Sequence, residues 1–304
     1  MVGIKYFPNN INIENKTIIV RFDYNVPLKN KEIQDETRIS LTLPFLKYLI
    51  KEKAKVVIIS HLGRPEGYVN KDLSLLPIYK FLKKKINTNV YFYTGNINKE
   101  TKIKSSLLKP GEILLLENIR FNKGEEENNN EFAKNLSELG EIYVNDAFSC
   151  SHRKQASIHK IVKFVNQSYA GPLLKKEIDS INLVVKNKKN PVTCIIGGSK
   201  ISTKIGVISK LIESVNSVVI VGAMANNFLS YEGLNVGKSL TEKDTKSIID
   251  RIYNKAKKNN CKIVIPEDCG VAKNFEGTST FKDQGYIDDN EIILDIGPKT
   301  IKKI

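Results

Sequence analysis

Hydrophobic positions along the chain fall into short β-branched runs separated by stretches in which apolar residues recur every three to four positions. Thr17 to Tyr24 (T-I-I-V-R-F-D-Y) is the first run and predicts a buried strand that delivers Asp23 and Asn25 at its exit. Asp35 or Thr37 can then cap a helix running to about Glu52, with Leu41, Phe45, Leu46 and Leu49 on one face. Lys55–Ser60 predicts a second strand, Ser74–Lys85 a helix, and Val90–Tyr93 and Ile113–Leu116 further strands. A helix over Glu131–Leu139 and a strand over Ile142–Val144 follow. From Leu173 to about Lys186 the chain is amphipathic, with Leu174, Ile178, Ile181 and Val185 at helical spacing. Beyond it, Val192–Ile196, Val218–Val221 and Ile263–Ile265 predict strands, with helices over Ser209–Ser214 and Thr241–Lys257. A last run, Ile292–Leu294, leads into Asp295–Thr300.

Strands alternating with helices imply an α/β protein built from right-handed βαβ units around parallel sheets. At 304 residues, 41% of them hydrophobic, the chain can bury two cores. The pattern divides it into a first domain over 1–168, a connecting helix over 169–187 and a second domain over 188–304. No low-complexity linker intervenes, so the connection reads as a rigid helix rather than a tether.

Composition narrows the function. Met1 to Lys16 has no apolar signal region, and the longest apolar runs, such as Val218–Val221, are too short for a membrane span. A cytoplasmic protein with no membrane partner is the expectation. Four cysteines (Cys150, Cys194, Cys261, Cys269) form no C-x-x-C pair, and His61, His152 and His159 have no metal-pair spacing. Neither disulfides nor a protein-held metal is expected, and Cys194 and Cys261 read as core thiols. The formal net charge of +15 suits an anionic partner. The lysines are dispersed rather than gathered into a stripe, which argues against nucleic acid.

The arginines are more selective. Only six stand among 48 basic residues, and five of them (Arg21, Arg38, Arg64, Arg120, Arg153) lie in the first predicted domain. Where lysine is the default cation, arginine marks positions that need a planar, bidentate fork. Ligands of parallel α/β sheets sit beyond the carboxyl ends of the strands. Asp23, Asn25, His61, Arg64, Arg120 and Arg153 fall at such ends, and Arg38 falls in the first turn of a helix. Four arginines and a histidine so placed would bind a small phosphorylated carboxylate. Arg21, inside its strand, and Arg251, in a surface-like helix, read as structural. In the second half, Gly197-Gly198-Ser199-Lys200 closes a strand, and a helix after it would put Lys200 and Lys204 on one face. This is neither a Walker A loop nor G-x-G-x-x-G. Gly233 to Ser239 imitates a Walker A loop, but its glycines are one residue too close.

Six segments in order carry a resemblance along essentially the whole chain. They are Arg21–Pro27 (R-F-D-Y-N-V-P), Ser60–Pro65 (S-H-L-G-R-P), Leu116–Phe121 (L-E-N-I-R-F), Tyr143–Phe148 with His152-Arg153, Gly197–Lys200, and Asp295–Pro298 (D-I-G-P). This set resembles the phosphoglycerate kinase family. The resemblance implies two Rossmann-like three-layer α/β/α domains with parallel sheets, facing across a cleft that closes by a hinge. It implies reversible phosphoryl transfer between 1,3-bisphosphoglycerate and ADP, giving 3-phosphoglycerate and ATP, by a monomer. Asp23, Tyr24, Asn25, Arg38, His61, Leu62, Gly63, Arg64, Arg120 and Arg153 would then hold the glycerate. Gly197, Gly198, Lys200, Lys204, Gly222 and Gly297 would face the nucleotide, and Arg38 and Lys200 would be catalytic. Mg²⁺ would be held through the nucleotide phosphates. Ala223 replaces a family glycine, and the family's W-N-G-P segment, its ribose glutamate and its G-G-D-T turn with the metal-contacting aspartate are absent. The expectation is therefore a second domain that is truncated. A non-catalytic fragment that binds 3-phosphoglycerate is the alternative.

Overall fold

The computed structural model describes residues 3–8, 10–185 and 190–304. It divides into two units, one ending at Ser180 and one beginning at Ile181.

The first unit begins with β1 (Thr17–Arg21), a short hairpin of β2 (Leu28–Lys29) and β3 (Glu32–Ile33), and α1 (Thr37–Lys51). Next come β4 (Lys55–Ile59), α2 (Leu76–Lys85), β5 (Val90–Tyr93), α3 (Lys99–Ser106) and β6 (Ile113–Leu116). The short α4 (Lys123–Glu126), α5 (Asn130–Ser137), β7 (Ile142–Asn145) and β8 (Gln167–Ala170) follow, and then α6 (Pro172–Val185), whose last turn falls in the second unit. Six strands form one parallel sheet in the order β5-β6-β4-β1-β7-β8. Side chains alternate across a strand, so Ile18, Val20, Val56 and Ile58 enter one core with Phe45, Leu46 and Leu49 of α1. Ile19, Val57 and Ile59 enter the other, with Leu136 and Tyr143. Burial on both faces explains the unbroken Val/Ile runs of β1 and β4.

Three expectations shift here. β1 stops at Arg21, because Tyr24 turns inward at the exit rather than continuing the ladder. The buried stripe of α1 is Ile39, Thr42, Phe45, Leu46 and Leu49, and Leu41 faces solvent. Glu36 occupies the position before α1, while Asp35 accepts the Thr37 N–H at 2.8 Å. That bond and the Thr37 hydroxyl hold the Asp35 carboxyl below its ordinary range. The end of the connecting helix at Lys186, and the domain boundary expected after residue 187, lie outside the described residues.

The second unit contains β9 (Thr193–Gly197), α7 (Ile205–Ile212), β10 (Ser217–Val221), α8 (Ala223–Tyr231), α9 (Lys246–Lys258) and β11 (Lys262–Val264). These three strands form a parallel sheet in the order β11-β10-β9. Ile208, Ile212, Val218, Ile220, Phe228, Ile249 and Ile252 make its core. Cys261 is buried in that core, whereas Cys194 is only partly covered. The chain continues with β12 (Asp268–Ala272), β13 (Thr280–Asp283), β14 (Ile292–Ile296) and α10 (Pro298–Lys303). The run at Ile292 does not join the parallel sheet. It pairs antiparallel with β12, in a separate sheet ordered β13-β12-β14.

Candidate active site

At the carboxyl end of β1 the backbone is held by Ser60, whose hydroxyl accepts the Tyr24 N–H and donates to the Phe22 carbonyl, both at 2.9 Å. Tyr24 is fully buried, and its hydroxyl pairs with Thr42 Oγ1 at 3.0 Å. Burial pushes its phenol well above the ordinary range. It supports the loop from inside and presents no side chain to a ligand. Asp23 and Asn25 form the outer rim. Arg38, in the first turn of α1, donates to Asp23 Oδ2 at 2.7 Å and to the Asn25 carbonyl at 3.2 Å. Ser149 also donates to Asp23 Oδ2. The Arg38 side chain remains 51% exposed.

The loop after β4 is tied to this rim. Gly63 donates its N–H to Asn25 Oδ1 at 2.8 Å, and its carbonyl accepts from Arg120 Nη1 at 2.8 Å. Its φ is +62°, which favours glycine, and a Cβ there would also press on the end of the Leu73 side chain at 2.7 Å. Asn118 clamps the same loop: it accepts the Leu62 N–H at 3.3 Å and donates to the carbonyls of Leu62 (2.7 Å) and Leu73 (2.9 Å). Leu62 itself is buried. Arg120 is buried too, with Glu126 Oε1 3.6 Å from its Nε. Arg64 and Arg153 are exposed, and among the described residues no carboxylate lies in ion-pair range of either. Hydrogen bonds thus bring Asp23, Asn25, Arg38, Gly63 and Arg120 together, and Arg153 is close enough to act electrostatically on His61 and Arg120. Arg64 adjoins them in sequence but makes no side-chain bond to them.

His61 is only 4% exposed, and burial followed by the charges of Arg21, Arg120, Arg153 and Arg38 pushes its pKa down to about 2. It is neutral at any physiological pH. Its Nδ1 faces Arg21 Nη2 at 3.1 Å. Arg21, read from the sequence as structural, is fully buried and bonded to this histidine. A guanidinium in an otherwise apolar buried strand demands partners, though T-I-I-V-R-F does not say which. Asp23, His61 and Cys150 place ligand-type atoms within 4.8 Å of one another. Arg38 and Ser149 already engage Asp23, Arg21 engages His61, and the surrounding guanidiniums favour an anion over a cation.

In the second unit, β9 ends in Gly197, and Gly198 takes a φ of +151°. Lys200 lies in the turn that follows and Lys204 directly precedes α7, which starts only at Ile205. The two lysines therefore do not share a helix face. The turn is closed differently: Ser202 donates its N–H (3.1 Å) and its hydroxyl to Glu242. Gly222, at φ +65°, precedes α8, and a Cβ there would lie 3.4 Å from Gly198 N. The Met224 N–H donates to the Gly198 carbonyl at 2.7 Å, so the glycine turns after β9 and β10 are in contact. The start of α8 beside them offers the partial positive charge of a helix N-terminus. Gly297 has its own reason to be glycine, because a Cβ would meet Asp268 Oδ2 at 2.3 Å. The Asp268 carboxylate there accepts the N–H groups of Lys299 (2.9 Å) and Thr300 (2.8 Å) at the start of α10.

Parallel α/β units with cationic side chains and glycine turns at their strand ends define a phosphate-handling enzyme class. The sequence profile described as Phosphoglycerate kinase matches residues 9–304, and the chain belongs to that family. It is 46% identical over 296 residues to a protein named Phosphoglycerate kinase from Wolbachia pipientis wMel, covering 97% of this chain and 74% of that one. It is 44% identical to the Buchnera aphidicola protein of the same name, over 97% and 74% of the two chains. The solved phosphoglycerate kinase of Coxiella burnetii superposes with a TM-score of 0.81 at 38% identity, over 97% and 74% of the two chains. That of Pyrococcus horikoshii OT3 superposes with 0.82 at 27% identity, over 98% and 76%.

Proposed function

We propose that the chain transfers a phosphoryl group reversibly between 1,3-bisphosphoglycerate and ADP, with 3-phosphoglycerate and ATP as the products. The observation that carries this reading is the group of arginines around a neutral histidine at the strand exits of the first unit, within a chain of this family. Phosphoryl transfer asks little covalent chemistry of the protein and much positioning and charge stabilisation. Asp23, Asn25, His61 and the loop of Leu62, Gly63 and Arg64 would position the glycerate, with Arg120 and Arg153 supplying charge. Tyr24 would act from beneath, through the loop it supports. Gly197, Gly198 and Lys204 would receive the nucleotide phosphates, and Gly222 and Gly297 would wall the adenosine. Arg38 and Lys200 would neutralise the transferring phosphoryl. Mg²⁺ belongs to the nucleotide substrate, where it offsets phosphate charge. The glycerate-binding module without catalysis has no observation in its favour. Among the described residues, no helix is long and apolar enough to cross a membrane.

Calorimetric titration with 3-phosphoglycerate and with Mg–ADP separately, beside a coupled transfer assay, tests the reading. Binding of both with turnover is expected. Binding of the first alone, without turnover, would establish the module instead.

A further inference from the structure

The place of the proton on His61 is fixed by its surroundings. A guanidinium carries N–H donors and no acceptor, so the nitrogen 3.1 Å from Arg21 Nη2 has to be the accepting one. That nitrogen is Nδ1, which leaves the hydrogen on Nε2. Cys150 Sγ, 3.8 Å from Nδ1, adds at most a second weak donor. Arg21 has no room to turn away. It is fully buried, its Nε donates to Ser157 Oγ at 3.2 Å, and its Nη1 donates to the Phe22 carbonyl. Ser157 passes the contact on, donating its hydroxyl to Glu125 Oε1 (2.6 Å) and its N–H to Oε2 (2.8 Å). Burial raises the Glu125 carboxyl above its usual range, and Arg21 and the Ser157 bonds oppose that rise. A chain of three side chains thus runs from a buried carboxylate to the imidazole.

We propose that Arg21, held by Ser157 and Glu125, is a positioning residue that fixes His61 as the neutral Nε2–H tautomer. His61 then serves as a hydrogen-bond donor to the glycerate anion that does not vary with pH, and never as a general base. The groups facing it agree. Arg21 comes from β1, Asp23 from the loop after it and Cys150 from the turn after β7, and the charges of Arg38, Arg120 and Arg153 act on it. The proton assignment needs no substrate; the donor role rests on the reading given above under Proposed function.

Nitrogen-15 correlation spectra of the labelled full chain test the first half, with His61→Gln used only to assign the signals. A pyridine-type Nδ1 and a protonated Nε2 are expected, unchanged from about pH 5 to about pH 8. A protonated Nδ1, or a titration near the ordinary histidine value, overturns the proposal. For the second half, Ser157→Ala and Glu125→Gln each cut the chain without touching His61. Each should raise the KM for 3-phosphoglycerate on the order of tenfold, with a smaller change in kcat. Each should also add, beyond the second ionisation of the substrate's phosphate that parent and variants share, a pH dependence of KM from a His61 no longer held by Arg21. A pH profile of KM that matches the parent's in both variants overturns the positioning role. If the parent chain binds no 3-phosphoglycerate at all, the donor role fails with the functional reading, and the spectra still decide the tautomer.

Discussion

Arg38 and Arg120 carry the same charge and are embedded differently, so their loss should be felt differently. Arg38 is half exposed and, among the described residues, hydrogen-bonds to Asp23 and the Asn25 carbonyl, while Asp23 also keeps Ser149. Arg38→Ala should lower turnover on the order of a hundredfold or more and leave unfolding free energy within about 1 kcal/mol. A coupled assay and a urea titration of one preparation check both, and near-normal turnover would remove the catalytic role. Such residues were legible because arginine is scarce against a lysine background and stands at predicted strand exits. The bond from Arg21 to His61 was not legible. Its sequence position says "inside a strand", and only the pairing of β1 with β4 and β7 brings His61 and Ser157 to its guanidinium. The shared helix face of Lys200 and Lys204 was misread for a local reason, since a turn bonded to Glu242 looks helical when only spacing is considered.

Asn118 and Asp146 show what single side chains do for whole elements. Asn118 fastens the loop after β4 through Leu62 on both its N–H and its carbonyl. Asn118→Ala leaves those groups unmatched in a buried place, with an expected loss of about 2–4 kcal/mol in stability. The same loop carries His61 and Gly63, so the KM for 3-phosphoglycerate should rise with it. An unchanged KM in a folded variant would separate the loop from binding. Asp146 follows β7 and accepts the Leu174 N–H at 2.9 Å, in the first turn of α6. Its other oxygen has no partner among the described residues, and burial raises its pKa to about 6. For a carboxyl raised from 3.8, the stabilising contribution is complete below that value and is lost as pH rises through about 6. Relative to the parent, Asp146→Asn should therefore gain on the order of 3 kcal/mol between about pH 4 and pH 7. A difference between the two proteins that stays constant with pH would contradict this. At this scale the sequence reads well where strands are buried on both faces, as in β1, β4 and β6. It reads poorly for β12 (D-C-G-V-A), which has no apolar run to announce it. The direction in which the Ile292 run pairs could not be read either, because periodicity carries no information about a partner.

Across the whole molecule, the excess of +15 charges surrounds a reaction whose proposed substrates are all anions. The lysines form no single stripe, so their collective effect is on encounter rather than on a site. kcat/KM for 3-phosphoglycerate should fall several-fold as salt rises from about 0.02 M to about 0.2 M, mostly through KM. Stopped-flow or steady-state measurements at matched pH would show it, and a flat response would assign the charge to composition alone. Arg21 has a consequence for synthesis as well. Its Nε partner, Ser157, stands 136 residues further along the chain. Until the ribosome has delivered that serine, β1 cannot be enclosed without leaving the Arg21 Nε–H buried and unbonded, at a cost of about 1–3 kcal/mol. The first unit should therefore acquire protease resistance late and in one step. Stalled nascent chains ending near residue 145 would remain open to digestion, and those long enough to expose Ser157 outside the exit tunnel would not. Stable protection in the shorter chains would show that β1 is closed over without its distant partners.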